Sequence, residues 1–174
     1  METHSDIGDV AASIQARENE FLGNLELLDD SLLQFEYILS FIDDLNEIPE
    51  EERDDDCKVE GCASNAWLVL EARNGQLELR LSSDSLIVEG LLGALTWMVD
   101  AQSLADVAAW QPRLFEHQQM KRHLTVDRRH GIASIVNAVR AFCKAESRET
   151  AGPGCTPAKT SCVPSAAAIG THDG

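Results

Sequence analysis

Apolar side chains at Leu28, Leu32, Phe35, Leu39, Ile42 and Leu45 recur at steps of three or four residues, the spacing that gathers side chains on one face of an α-helix. Two short helices or one bent one over 20–46 fit this pattern, and Asp30 or Ser31 stands where an N-cap is wanted. Ile48-Pro49 stops the run, because proline disfavours helical backbone in the residue before it. From Glu50 to Asp56 every residue but Arg53 is acidic, and so many like charges must face solvent.

The period then changes. Trp67-Leu68-Val69-Leu70 and the strict alternation Gln76-Leu77-Glu78-Leu79-Arg80-Leu81 flank Asn74-Gly75, the pair best able to take positive φ at both centres of a type I′ turn. This predicts an antiparallel hairpin with one buried and one wet face, to which Cys57–Glu60 is placed to add a third strand. Beyond Ser82-Ser83-Asp84, read as a helix cap, Ile87, Val88, Leu91, Leu92, Leu95 and Met98 describe an apolar helix. Gly90 and Gly93 inside it each cost about 1 kcal/mol against alanine, which points to close backbone packing on a neighbour. Shorter helices are expected at Leu104–Trp110 and Pro112–Arg122, and a strong one at Asp127–Cys143.

Strands in one block between two blocks of helices predict an α+β fold rather than alternating α/β. Residues 1–18 lack a sustained apolar stripe and are expected to be a flexible segment before a domain over 19–147. From 148 to 174 the chain is mostly Gly, Pro, Ser, Thr and Ala, from which no core can be built, and a disordered tail is expected.

A length of 174 residues suits one domain of ordinary size. The net charge of −16 argues against nucleic acid and an anionic membrane surface as ligands, since both are bound by cationic side chains. No apolar run approaches the roughly 18–20 residues that span a bilayer. The charge is uneven: residues 1–60 hold 19 acids and 3 bases, whereas eight of the fourteen bases fall between Arg113 and Arg148. Opposite charges on different faces would orient a protein partner.

Five cysteines, Cys57, Cys62, Cys143, Cys155 and Cys162, stand in a chain whose opening METHSDIGDV has the character of neither a signal nor a transit peptide. The expectation is a cytoplasmic protein without a structural disulfide framework. Cys57 and Cys62 are wrongly spaced for a zinc knuckle, Cys155 and Cys162 lie in the tail, and no metal site is expected. His117, His123 and His130 occupy no recognisable hydrolase context. A thiol redox pair of Cys57 and Cys62 is an alternative.

The chemically informative stretch is Val59-Glu60-Gly61-Cys62-Ala63-Ser64-Asn65-Ala66-Trp67-Leu68. A cysteine directly after a glycine, on a connection entering a hairpin, can project its sulfur outward from a tight turn. Free cysteines are also common core residues, so spacing alone leaves both roles open. Here the residues resemble a family. Val59-x-Gly61-Cys62-x-Ser64-x-x-Trp67-Leu68 is similar to the signature of SufE, the sulfur-acceptor family of iron–sulfur cluster assembly that includes the CsdE branch. Ile48-Pro49, Ser83-Asp84, Ile87-Val88-x-Gly90-Leu91, His123-Leu124-Thr125 and Arg128-x-x-Gly131-Ile132 follow in the family's order over roughly 20–145. Val126, Asp127 and His130 depart from the pattern at the start of the last helix.

The resemblance implies helices packed on a small, curved antiparallel sheet of about three strands. It further implies that Cys62 accepts sulfane sulfur from a PLP-dependent cysteine desulfurase (SufS- or CsdA-like) and passes it to an iron–sulfur scaffold (SufBCD-like). The PLP belongs to the partner, and no cofactor of the chain's own is implied. Such a chain is a transfer partner and activator rather than a stand-alone enzyme; a regulatory module that binds the desulfurase without carrying sulfur is the alternative. Gly61, Ser64 and Asn65 are candidates to shape the loop, Trp67, Leu91 and Leu95 to line a persulfide recess, and His123 and Arg128 to touch the partner. Nothing adjacent lowers the Cys62 pKa, and Glu60 with Asp54–Asp56 opposes a further negative charge, so a thiol sluggish on its own is expected.

Overall fold

The hairpin forms as its turn residues dictate. Asn74 and Gly75 take φ of 53° and 77°, and strands β1 (Ala66–Arg73) and β2 (Gln76–Ser83) pair antiparallel from Arg73↔Gln76 to Ala66↔Ser83. Leu68↔Leu81, Leu70↔Leu79 and Ala72↔Leu77 face each other across the strands, and this side joins the main core. The structure is a computed structural model and describes residues 13–149 and the backbone of 160–162.

Helices α1 (Ile14–Leu27), α2 (Ser31–Leu39), α3 (Leu86–Val99), α4 (Leu104–Ala109), α5 (Gln118–His123) and α6 (Val126–Glu149) complete the α+β architecture. Asp30 caps α2 through the backbone N–H groups of Leu32 and Leu33, and a 3-10 turn, Ser40–Asp44, extends that helix. The two interior glycines of α3 do what their cost implied. A Cβ at Gly90 would stand 2.7 Å from the Ile38 carbonyl oxygen, and one at Gly93 would overlap that of Phe41, so α3 lies backbone to backbone on α2 and its 3-10 extension. No described helix is long and apolar enough to cross a membrane.

Several boundaries differ from the sequence expectation. α1 begins at Ile14, capped by the Ser13 hydroxyl, inside the segment read as flexible; residues 1–12 lie outside the described residues. What fixes this helix is polar. Glu18 is fully buried and accepts from Gln15 Nε2, Trp110 Nε1, Arg113 N and Leu114 N at 2.6–3.3 Å, a set of contacts that an apolar stripe does not announce. α6 runs to Glu149, past the expected Cys143.

The third strand also comes from elsewhere. Cys57–Glu60 makes one isolated bridge, Lys58↔Trp67, whereas β3 (Thr160–Cys162) pairs antiparallel with β1, giving the order β2-β1-β3. Those three residues lie in the stretch read as a tail; the rest of that reading falls outside the described residues. The wet face is covered at one end: Ile48, Cys57 and Val69 form a second small cluster with Trp67 against it. Ser82 Oγ, paired with both the N–H and the C=O of Ile48, holds that crossing segment.

Candidate functional site

Residues 61–65 form a loop whose two ends are tied down. At its foot Leu68 N donates to Cys57 O and Val59 N to Ala66 O, both at 2.8 Å. At its far end Asn65 N and Nδ2 donate to the two carboxylate oxygens of Asp84 at 3.0 and 2.7 Å, and Ser83 Oγ donates to Asn65 O at 2.9 Å. Ser83-Asp84, read from sequence as a helix cap, therefore serves the loop; the N-cap of α3 is Ser85, which makes no side-chain cap bond. Asn65, a candidate loop-shaping side chain, thus ties this end of the loop to Asp84. Ser64 is half-buried and has no hydrogen bond among the described residues.

Gly61 carries φ +80°, and a Cβ there would meet nothing within 4 Å. Its glycine is demanded by backbone conformation, not by space, since L side chains rarely adopt that φ. The turn delivers Cys62, a free and half-buried thiol packed against the main core. Its seat is Gly131 of α6: a Cβ at that position would overlap Cys62 Sγ and stand 3.1 Å from Cys62 Cβ. Gly131 appeared in the sequence only as part of a matching motif, and the contact supplies its physical reason. Burial pushes the Cys62 thiol up from its ordinary value, so it rests protonated at neutral pH.

The other candidates are spread around this seat. Arg128 lies one turn before Gly131 on the same helix face and forms no ion pair among the described residues. Thr125 Oγ1 accepts from Arg128 N at 3.4 Å, so α6 begins on a hydroxyl cap despite Val126 and Asp127. His123 bonds inward: its Nε2 lies 2.7 Å from Gln34 Oε1, while Gln34 Nε2 donates to Leu28 O and Leu25 O. Gln34 is thereby oriented with its oxygen toward the ring, which makes His123 Nε2 the donor. Burial, and then Arg122, lower the His123 pKa. Leu91 and Leu95 belong to the main core, as Cys62 does. Trp67 belongs to the second cluster, where the Arg53 guanidinium lies 5.6 Å from its ring centroid.

Cys57 is disulfide-bonded, in a chain expected to lack a structural disulfide framework, while Cys62 is free, so the two are not joined to each other. Cys57 is enclosed by Ile48 and Val69, which removes it from the face of the sheet on which Cys62 rests. Among the described residues no group of three His, Cys, Asp or Glu side chains is arranged to hold a metal ion.

Comparison with known proteins agrees with this architecture. The solution structure of a hypothetical protein from Thermus thermophilus superposes with a TM-score of 0.63 at 14% identity, covering 76% of this chain and 96% of that one, a likeness of fold. The profile of SufE, described as an Fe-S metabolism associated domain, matches residues 19–143. That span takes in the Gly61-Cys62 turn, the Asp84 clamp and the Gly131 seat, and the chain belongs to the SufE family.

Proposed function

We propose that Cys62 is the acceptor of a mobile sulfur atom in iron–sulfur metabolism. The donor is the active-site persulfide of a PLP-dependent cysteine desulfurase, and the recipient is an iron–sulfur cluster scaffold. In the accepting step the Cys62 thiolate attacks the terminal sulfur of the donor persulfide. A new S–S bond forms at Cys62, the donor's S–S bond breaks, and the donor sulfur leaves as a thiolate. The observation that supports this most directly is the placement of the thiol, free and partly open on a left-handed glycine turn, yet resting on a bare patch of helix at Gly131.

A thiol raised by burial is a poor nucleophile until it is deprotonated. The desulfurase must therefore supply a base or positive charge as the loop enters its site, which confines the reaction to the complex. Arg128, one turn from the seat, and the uneven charge of the two halves of the chain would orient that encounter. Desulfurase turnover with and without this protein tests the reading. Wild type stimulates turnover, and Cys62→Ala binds the desulfurase with unchanged affinity but stimulates at less than about a tenth of wild type, as expected when the attacking atom is missing. Full stimulation by Cys62→Ala would instead make the chain a regulatory module.

A further inference from the structure

Beyond the Gly131 seat, α6 borders a surface that sulfur transfer does not use. α4 and the C-terminal half of α6 pack side by side and leave an open groove of about 640 Å³. Arg140, Lys144 and Arg148 line it from α6, and Ala105, Ala108 and Ala109 from α4. Residues four apart share a helix face, so the three cations stand in a row with steps of about 6 Å. Among the described residues no acidic side chain lines the groove, in a chain with 30 acids against 14 Lys and Arg. None of the three cations has an ion pair or a side-chain hydrogen bond among the described residues. Arg140 bears a further cost, for its Nε is buried and has no hydrogen-bond partner. A guanidinium withdrawn from water without a counter-charge is destabilised until an anion meets it.

We propose that this groove docks an acidic α-helical segment of a partner protein, with carboxylates at positions i, i+4 and i+8 set against Arg140, Lys144 and Arg148. The arrangement of charge selects this class of ligand. Cations that converge on one point suit a single phosphate, whereas a row repeating at each turn matches the repeat of carboxylates along one face of a second helix. The alanines opposite are short enough to let that helix approach α4 at the close end of the interaxial range of about 8–10 Å, as recognition in a helix groove requires. A second copy of this chain is the poorer occupant, because its net charge of −16 opposes the approach of another −16. Between Gly131, where Cys62 rests, and Arg140 the helix rises about 14 Å, so a segment docked beyond Arg140 leaves Cys62 open to a desulfurase. The surface is independent of sulfur transfer, and its failure would leave that reading intact.

Two alanine-based peptides of about 17 residues, long enough to hold a helix, test the groove by NMR titration of the full chain at low salt. One carries glutamates at i, i+4 and i+8; the other has the same composition with the glutamates spread around the helix. The first should shift the amides of 105–109 and 137–148 and bind about tenfold more tightly than the second, and about 0.5 M salt should weaken it by a similar factor. Arg140→Gln/Lys144→Gln should weaken binding about tenfold or more, and so should Lys144→Gln/Arg148→Gln, whose exposed positions leave the fold unchanged. Equal affinity for the two peptides, undiminished binding by both variants, tighter binding of inorganic pyrophosphate than of the peptide, shifts that map elsewhere, or self-association of the chain through these same residues would each overturn the proposal.

Discussion

Cys62 and Cys143 are the two free thiols among the described residues; both belong to or rest on α6, and burial raises the pKa of both. They differ in access. Cys143 is fully enclosed in the core, where burial and then Glu146 push it up to about 12. Cys62 reaches the same helix from outside, on a loop, over a residue with no side chain. Neither thiol is activated within this chain. What separates a packed cysteine from an accessible one is therefore a left-handed turn and a glycine to sit on; under the proposed function, activation comes from the partner.

Alkylation separates the two thiols most sharply. Iodoacetamide should label Cys62 in the native protein while Cys143 reacts only through unfolding, a ratio above about a thousandfold for a domain of ordinary stability. Similar rates at the two sites would contradict the account. Gly131→Ala comes next: its methyl must displace Cys62 Sγ, costing about 1–3 kcal/mol as overpacking does. It should change the Cys62 alkylation rate and lower sulfur acceptance while Cys143 stays protected; an unchanged Cys62 would mean that Gly131 is no seat.

Stability against pH separates the thiols further. The folded pKa of Cys143 lies above its ordinary 9.0, so its neutral form contributes stability in full below pH 9, and the contribution is lost as pH rises toward about 12. Chemical denaturation should show Cys143→Ala losing less stability than wild type across that window. A parallel loss in both proteins would remove the thiolate as the cause. The smallest effect is the cavity left at neutral pH by Cys143→Ala, about 1 kcal/mol by denaturant midpoint, with Cys62 alkylation unaltered.

Local chemistry was the readable part of this chain. Asn74-Gly75 determines its turn because few residues tolerate positive φ, and Gly90 and Gly93 announce a close helix contact by their cost. Gly61-Cys62 marks the candidate site for the same reason. Contacts across long stretches of sequence were not readable. Glu18 looks like a surface acid until Trp110 and Leu114 are brought to it, and Asp84 looks like a helix cap until the loop returns Asn65 to its side. β3 pairs through its backbone, which composition does not report, and so three residues of an apparently coreless tail close the sheet edge in place of Cys57–Glu60.

On the proposed function, Cys62 receives a sulfur atom that began in cysteine. Desulfurase, this protein and cysteine labelled with a sulfur isotope are mixed, the thiols are blocked, and the digested peptides are weighed. A labelled sulfur, about 32 Da as the common isotope, should appear on the peptide bearing Cys62 and disappear with Cys62→Ser, as attack on a persulfide requires. Label that is absent from Cys62 while the desulfurase turns over, or that persists in Cys62→Ser, would contradict the account.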